Sequence, residues 1–101
     1  MPILEFDRKW AFTSTGSGGW ERATWAQQIT FVCESAAGST GTVRLEHRRK
    51  GSTSVSLFDT AVVLDASTAV TKAFVGAYYE IRPRVTDMTS TGTITVQGIG
   101  N

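Results

Sequence analysis

Alternation of apolar and polar positions with a period of two runs through most of the chain. Leu4, Phe6, Arg8, Trp10 and Phe12 share one parity, and Glu5, Asp7, Lys9 and Ala11 share the other. Successive side chains of an extended backbone point to opposite faces, so residues 1–12 read as a first strand or an extended N-terminal arm carrying an apolar stripe. Thr13 to Gly19 is a loop of glycines and hydroxyls, and Trp20 to Thr24 is a short strand. Trp25, Gln27, Ile29, Phe31 and Cys33 then alternate with Ala26, Gln28, Thr30, Val32 and Glu34, the pattern of a half-buried strand.

After a turn at Ser35 to Gly41, Val43, Leu45 and His47 oppose Thr42, Arg44, Glu46 and Arg48. Lys50-Gly51-Ser52 reverses the chain, and Ser54 to Asp59 returns with Val55 and Leu57 facing in, so 42–59 reads as a β-hairpin. Ala61 to Leu64 and Ala69 to Phe74 are further short strands. Tyr78 to Thr86 carries Tyr79, Ile81, Pro83 and Val85 on one face and Tyr78, Glu80, Arg82 and Arg84 on the other. Thr93 to Ile99 closes the chain with Ile94 and Val96 inward.

No window of helical length shows an apolar stripe. Seven to eight short strands bounded by turn chemistry predict an all-β fold, a single two-layer antiparallel β-sandwich spanning 13–101 with the N-terminal segment 1–12 attached. Its expected core is Ile29, Phe31, Val43, Leu45, Leu57, Tyr79, Ile81, Val85, Ile94 and Val96, with Trp25 on the same parity. Pro83 lacks the N–H that a central strand donates to its neighbour, so it is expected at a bulge or on an open edge.

Composition narrows the function classes. The 101 residues carry ten Lys+Arg against nine Asp+Glu, a formal net charge of +1, which provides no strong field for nucleic acid or an anionic membrane. Fifteen threonines, nine serines and ten glycines suit a turn-rich β domain. One cysteine excludes an intrachain disulfide framework. Cys33 lies on apolar strand parity and is expected to be a buried thiol. The first residues carry Glu5 and Asp7 with no basic lead into a long apolar run, so synthesis in a cytosol, with retention there or release by lysis, is expected.

The same counting leaves little for catalysis. His47, the single histidine, has inward strand parity, and no Gly-x-Ser-x-Gly elbow or phosphate loop occurs. The acids Glu34, Glu46, Asp59, Asp65, Glu80 and Asp87 fall on different strands and turns without calcium-loop or glycosidase spacing. No enzyme, cofactor or metal is therefore expected. Arg44, Arg48, Arg49 and Lys50, with Glu46 among them, read as a solvated or salt-bridging rim. Arg82, Arg84 and Glu80 read as cross-strand or intersubunit partners. Trp10, Trp20 and Trp25 with Tyr78 and Tyr79 suit a sugar-stacking platform, and Trp10 and Trp20, which flank the Gly-rich loop, suit a protein interface instead.

Two segments carry a family resemblance. Phe74-Val75-Gly76-Ala77-Tyr78-Tyr79-Glu80-Ile81-Arg82-Pro83-Arg84-Val85, followed by Ser90-Thr91-Gly92-Thr93-Ile94-Thr95-Val96, resembles the small β-sandwich proteins of tailed-bacteriophage virions, and Gly41-Thr42-Val43-Arg44-Leu45-Glu46 is similar to a strand of such proteins. The resemblance implies a non-enzymatic virion protein on the capsid surface. Its implied role is that of a decoration (cement) protein bridging neighbouring subunits of the major capsid protein, as a homo-oligomer with a trimer first. Leu4, Phe6, Trp10, Phe12 and Trp20 would serve as anchors, and Glu80, Arg82 and Arg84 as contacts between subunits. On this reading the arm is adhesive, and its removal leaves a folded domain. The alternatives are a neck, tail or fibre protein of the virion and a carbohydrate-binding module.

Overall fold

A computed structural model describes residues 6–24, 26–36, 38–58, 61–65, 69–89 and 92–101. They form an all-β, two-layer antiparallel sandwich. One sheet has four strands in the order β1 (Phe6–Phe12), β10 (Ile94–Gly100), β4 (Gln28–Ser35) and β8 (Val70–Val75). The other centres on β9 (Glu80–Met88) beside β5 (Gly41–Arg48). Its two outer strands are each broken in two. β2 (Gly16–Ser17) and β3 (Glu21–Arg22) flank β9, while β6 (Ser56–Leu57) and β7 (Val62–Leu64) flank β5. These breaks account for ten strands where the alternation predicts seven or eight.

The core forms where the two inner faces meet. Ile29, Phe31 and Cys33 of β4 and Ile94 and Val96 of β10 pack with Val43 and Leu45 of β5 and Ile81, Pro83 and Val85 of β9. Trp10, Phe12, Ala23, Ala26, Val62 and Leu64 complete the buried set. A ring cluster closes one end. Phe58 lies 4.6 Å from Phe74, 4.5 Å from Tyr78, 5.5 Å from Phe31 and 4.7 Å from His47 between ring centroids.

Two expected core positions are wrong, for reasons of register. Leu57 pairs with Glu46, and directly paired residues share a sheet face, so Leu57 points outward with Glu46 and is 45% exposed. Phe58 turns inward in its place. Val55, also expected to face in, is exposed. Tyr79 sits at a bend just before β9 begins, so the parity of that strand does not extend back to it. Tyr78 joins the ring cluster instead and Tyr79 is exposed. Trp25 lies outside the described residues.

Pro83 is neither on an open edge nor at the bulge, which falls opposite Thr42 and Val43. It pairs with Leu45 in the middle of the sheet. The N–H and C=O of one strand residue point to the same side. The Pro83 carbonyl accepts from the Gly18 N–H at 2.9 Å, so the missing donor also faces the gap between β2 and β3. The broken outer strand removes the ladder bond that proline cannot make.

Residues 6–12 are the first strand of the four-stranded sheet, not a free arm. All seven pair with β10, from Phe6 opposite Gly100 to Phe12 opposite Ile94. The apolar stripe is covered by the chain's own core. Trp10 lies over Gly98, where an added Cβ would meet the indole at 2.9 Å, and Phe6 lies over Gly100. Trp10 Nε1 donates to the Gly19 carbonyl at 2.8 Å, tying the glycine-rich loop down rather than leaving it as a hinge. Leu4 lies outside the described residues.

The sheet edges are blunted. β1 carries Asp7, Arg8 and Lys9 in succession, β8 places Lys72 on inward parity opposite Phe31, and the outer strands of the second sheet run only two or three residues each. Such features discourage edge-to-edge pairing. Deleting residues 2–12 should therefore abolish cooperative unfolding and NMR shift dispersion, since it removes Trp10 and Phe12 from the core. A truncated chain that keeps both would show that β1 is dispensable.

Candidate interaction surface

The outer face of the six-stranded sheet is an ordered array of charged side chains around one tryptophan. It arises because β5 and β9 are alternating strands paired in register. With Val43 and Leu45 inward on β5, and Ile81, Pro83 and Val85 inward on β9, the intervening Arg44, Glu46, Arg48, Glu80, Arg82 and Arg84 all point outward. Register then sets the rows: Arg48 opposite Glu80, Glu46 opposite Arg82, and Arg44 opposite Arg84.

The first two rows are closed ion pairs. Arg48 Nε donates to Glu80 Oε1 at 3.0 Å, and Arg48 Nη1 donates to the Ser52 carbonyl at 3.2 Å in the β5–β6 turn. Gly51 makes that turn possible, with φ of +70° that a side chain would disfavour. Arg82 Nε donates to Glu46 Oε1 at 2.8 Å. Glu46 is only 4% exposed although it lies on the outer face, because the guanidinium groups cover it. The Trp20 indole takes both arginines, with the Arg48 and Arg82 guanidinium carbons each 4.2 Å from its ring centroid. Charged groups that are paired and stacked in this way are held in place, and the face is accordingly preorganised.

The third row is open. Arg84 Nη1 approaches Glu46 Oε2 only to 3.9 Å and its side chain is 54% exposed. Arg44, directly across the ladder, makes no ion pair or hydrogen bond among the described residues. Leu57 and Val63 stand on the same face beside β5, opposite Glu46 and Thr42 and both exposed.

The residues singled out by the sequence are thus dispersed. Phe6, Trp10 and Phe12 pack within their own domain and offer little surface. Trp20, Glu80, Arg82 and Arg84 come together on the outer face, but Glu80 and Arg82 are already paired inside the chain. The sequence pattern placed Glu46 and Arg48 in a salt-bridging rim and offered Glu80 and Arg82 as cross-strand partners, as the ion pairs show, but it did not join the two groups, and it missed Leu57 and Val63 as exposed apolar neighbours. The signal was the shared parity of Arg44, Glu46 and Arg48, which becomes informative only once β5 is known to lie beside β9. Trp10 and Trp20 form no flat exposed row of the kind that stacks on sugar rings, since Trp10 is buried and Trp20 is covered by arginines.

Elsewhere, burial governs the remaining chemistry. Cys33 is fully buried and its thiol is pushed up to about 12 by desolvation. His47 packs edge-to-face against Phe58 and Tyr78, with ring centroids 4.7 and 4.8 Å away, and burial lowers its pKa below the ordinary value. Among the described residues no three His, Cys, Asp or Glu side chains gather as a metal site.

No protein-family model matches the chain, and no curated protein matches it in sequence. Among solved structures it is similar to the SPBc2 prophage-derived protein YomS, with a TM-score of 0.65 and 14% identity over 99% of this chain and 96% of that one. It is also similar to a chain from Bacillus endospore appendages, described as a family of disulfide-linked pili, with a TM-score of 0.53 and 8% identity over 97% of this chain and 87% of that one. At these identities the likeness is one of fold.

Trp20→Ala should lower stability by about 1–2 kcal/mol, the sum of two cation–π contacts of partly exposed arginines, read from urea denaturation. A double-mutant cycle with Arg82→Gln should show the two losses to be non-additive; strict additivity would mean that the stack contributes nothing. His47 binds its proton less readily in the folded chain than in the unfolded one. Its stabilising contribution is therefore complete above pH of about 6.5 and is lost as pH falls through the lower native value. The melting temperature should drop across that window in the parent protein and drop less in His47→Gln; parallel profiles would assign the acid sensitivity to other groups.

Proposed function

We propose that this chain is a non-enzymatic structural protein of a tailed-phage virion. Within that class it acts as a capsid decoration protein, cementing neighbouring subunits of the major capsid protein on the outside of the head. The observation that carries the reading is the end-to-end likeness of fold to a prophage-derived protein, in which nearly the whole of each chain takes part. The preorganised outer face supports it: ion pairs and a stacked tryptophan hold the sheet surface rigid, and the arginines and tryptophan on it are residue types enriched at protein interfaces.

Adhesion on this reading works through a sheet face, because the edges are short, charged or broken. Each contact can be modest, since a shell repeats it many times. The proposal includes a homo-oligomer, with a trimer first, and neither a cofactor nor nucleic acid. Arg84 is the one member of the expected intersubunit set with its charge largely open. A second reading, a fibre or tail module, draws on the likeness to the endospore pilus chain, although here Cys33 is sealed in the core and is not placed for linkage between subunits.

Immunogold labelling of particles released from cells that carry the coding sequence tests both readings. Label in a regular array on heads is the expected result. Label confined to tails or fibres would select the second reading, and particles free of the protein would overturn a virion role.

A further inference from the structure

We infer that the Arg44–Arg84 row of the outer face is a docking site for carboxylates presented by an acidic segment of a neighbouring protein. The inference names the partner chemistry of the adhesive role proposed above and rests on it. The array of β5 and β9 follows one rule in two of its rows, where each guanidinium has a carboxylate across the ladder at 3.0 or 2.8 Å. The third row breaks the rule by placing two arginines opposite one another. Like charges directly across a ladder are unfavourable. The nearest carboxylate oxygen to Arg84 is 3.9 Å away and belongs to Glu46, whose other oxygen is taken by Arg82.

Two guanidinium groups on adjacent strands offer a pair of planar forks, which suit carboxylates in bidentate geometry. Their neighbours argue for a protein rather than a nucleic acid. Glu46, Glu80 and Asp87 share the face, so a polyanion laid along it would meet repulsion within a few ångströms of the arginines. Leu57 and Val63, 45% and 73% exposed, flank the open row on the β5 side and would be covered by an apolar side chain between acidic ones. By register the face carries Arg22, Arg44, Arg48, Arg82 and Arg84 against three carboxylates, an excess that complements an acidic partner.

The probe is a pentapeptide of four glutamates around a central valine, titrated into the isotope-labelled full chain. The Nε signals of Arg44 and Arg84 should shift, more weakly as salt is raised. Arg44→Gln and Arg84→Gln should each reduce affinity on the order of tenfold, the double charge reversal Arg44→Glu with Arg84→Glu should abolish binding, and Lys9→Gln on the opposite face should leave it intact. Because the two arginines oppose each other, the glutamine variants should melt no lower than the parent, which keeps the test valid should the double reversal not fold. Shifts located elsewhere, or affinities unchanged in the glutamine variants, would overturn the site. An oligonucleotide or inorganic phosphate that binds the same arginines more tightly than the peptide would overturn the carboxylate assignment. Particle co-sedimentation separates the two levels. A reversal variant that still pellets with particles refutes this face while sparing the virion role, and a parent protein that never pellets refutes the role.

Discussion

The in-register pairing of β5 with β9 is the constraint from which most of the molecule follows. Pleating makes a pair of strands serve two faces at once. One side supplies Val43, Leu45, Ile81, Pro83 and Val85 to the core, and the other aligns Arg44, Glu46 and Arg48 with Arg84, Arg82 and Glu80. Slipping either strand by one residue against the other would carry its own arginines into the core and its apolar residues out, so burial of the inner face also holds the register of the outer charges.

That pairing explains features that look unrelated. Pro83 can occupy a middle strand because the segment outside β9 breaks where the proline lacks a donor, and the break brings Trp20 over the outer face. Trp10 reaches the same segment from the other sheet through its bond to Gly19, and Arg8 Nη1 donates to the Trp20 carbonyl at 3.3 Å. The loop between β1 and β3 is therefore held from both layers. The rigidity of the outer array depends on β1, which lies in the opposite sheet.

Rigidity of this kind bears on the proposed role. Binding loses free energy to the ordering of side chains, and long arginines lose most when they are free beforehand. Arg48 and Arg82 are ordered in advance by Glu80, Glu46 and the indole, so a partner meets a formed surface with one row left open. Edge pairing, the other route by which β proteins join, is discouraged by the charges of β1, the inward Lys72 of β8 and the short outer strands.

The local alternation determined the all-β fold, most of the core and the hairpin around Gly51, because period-two patterning and turn residues act over a few residues at a time. Ile29, Phe31, Val43, Leu45, Ile81, Val85, Ile94 and Val96 lie where parity puts them. Parity read from the sequence fails near strand ends: a bend resets it at Tyr79, and the pairing of Leu57 with Glu46 sets the opposite phase on β6, so Tyr79 and Leu57 face out while Tyr78 and Phe58 turn in. The tertiary structure alone decided whether the stripe of Phe6, Trp10 and Phe12 covers its own core or a neighbour's, since only the pairing with β10 and the space over Gly98 and Gly100 provide it a place. It also decided which charges meet. Arg48 and Glu80 are 32 residues apart, and Glu46 and Arg82 are 36 apart. No local pattern reports a partner at that distance, because the choice of neighbouring strand belongs to the packing of two complete sheets.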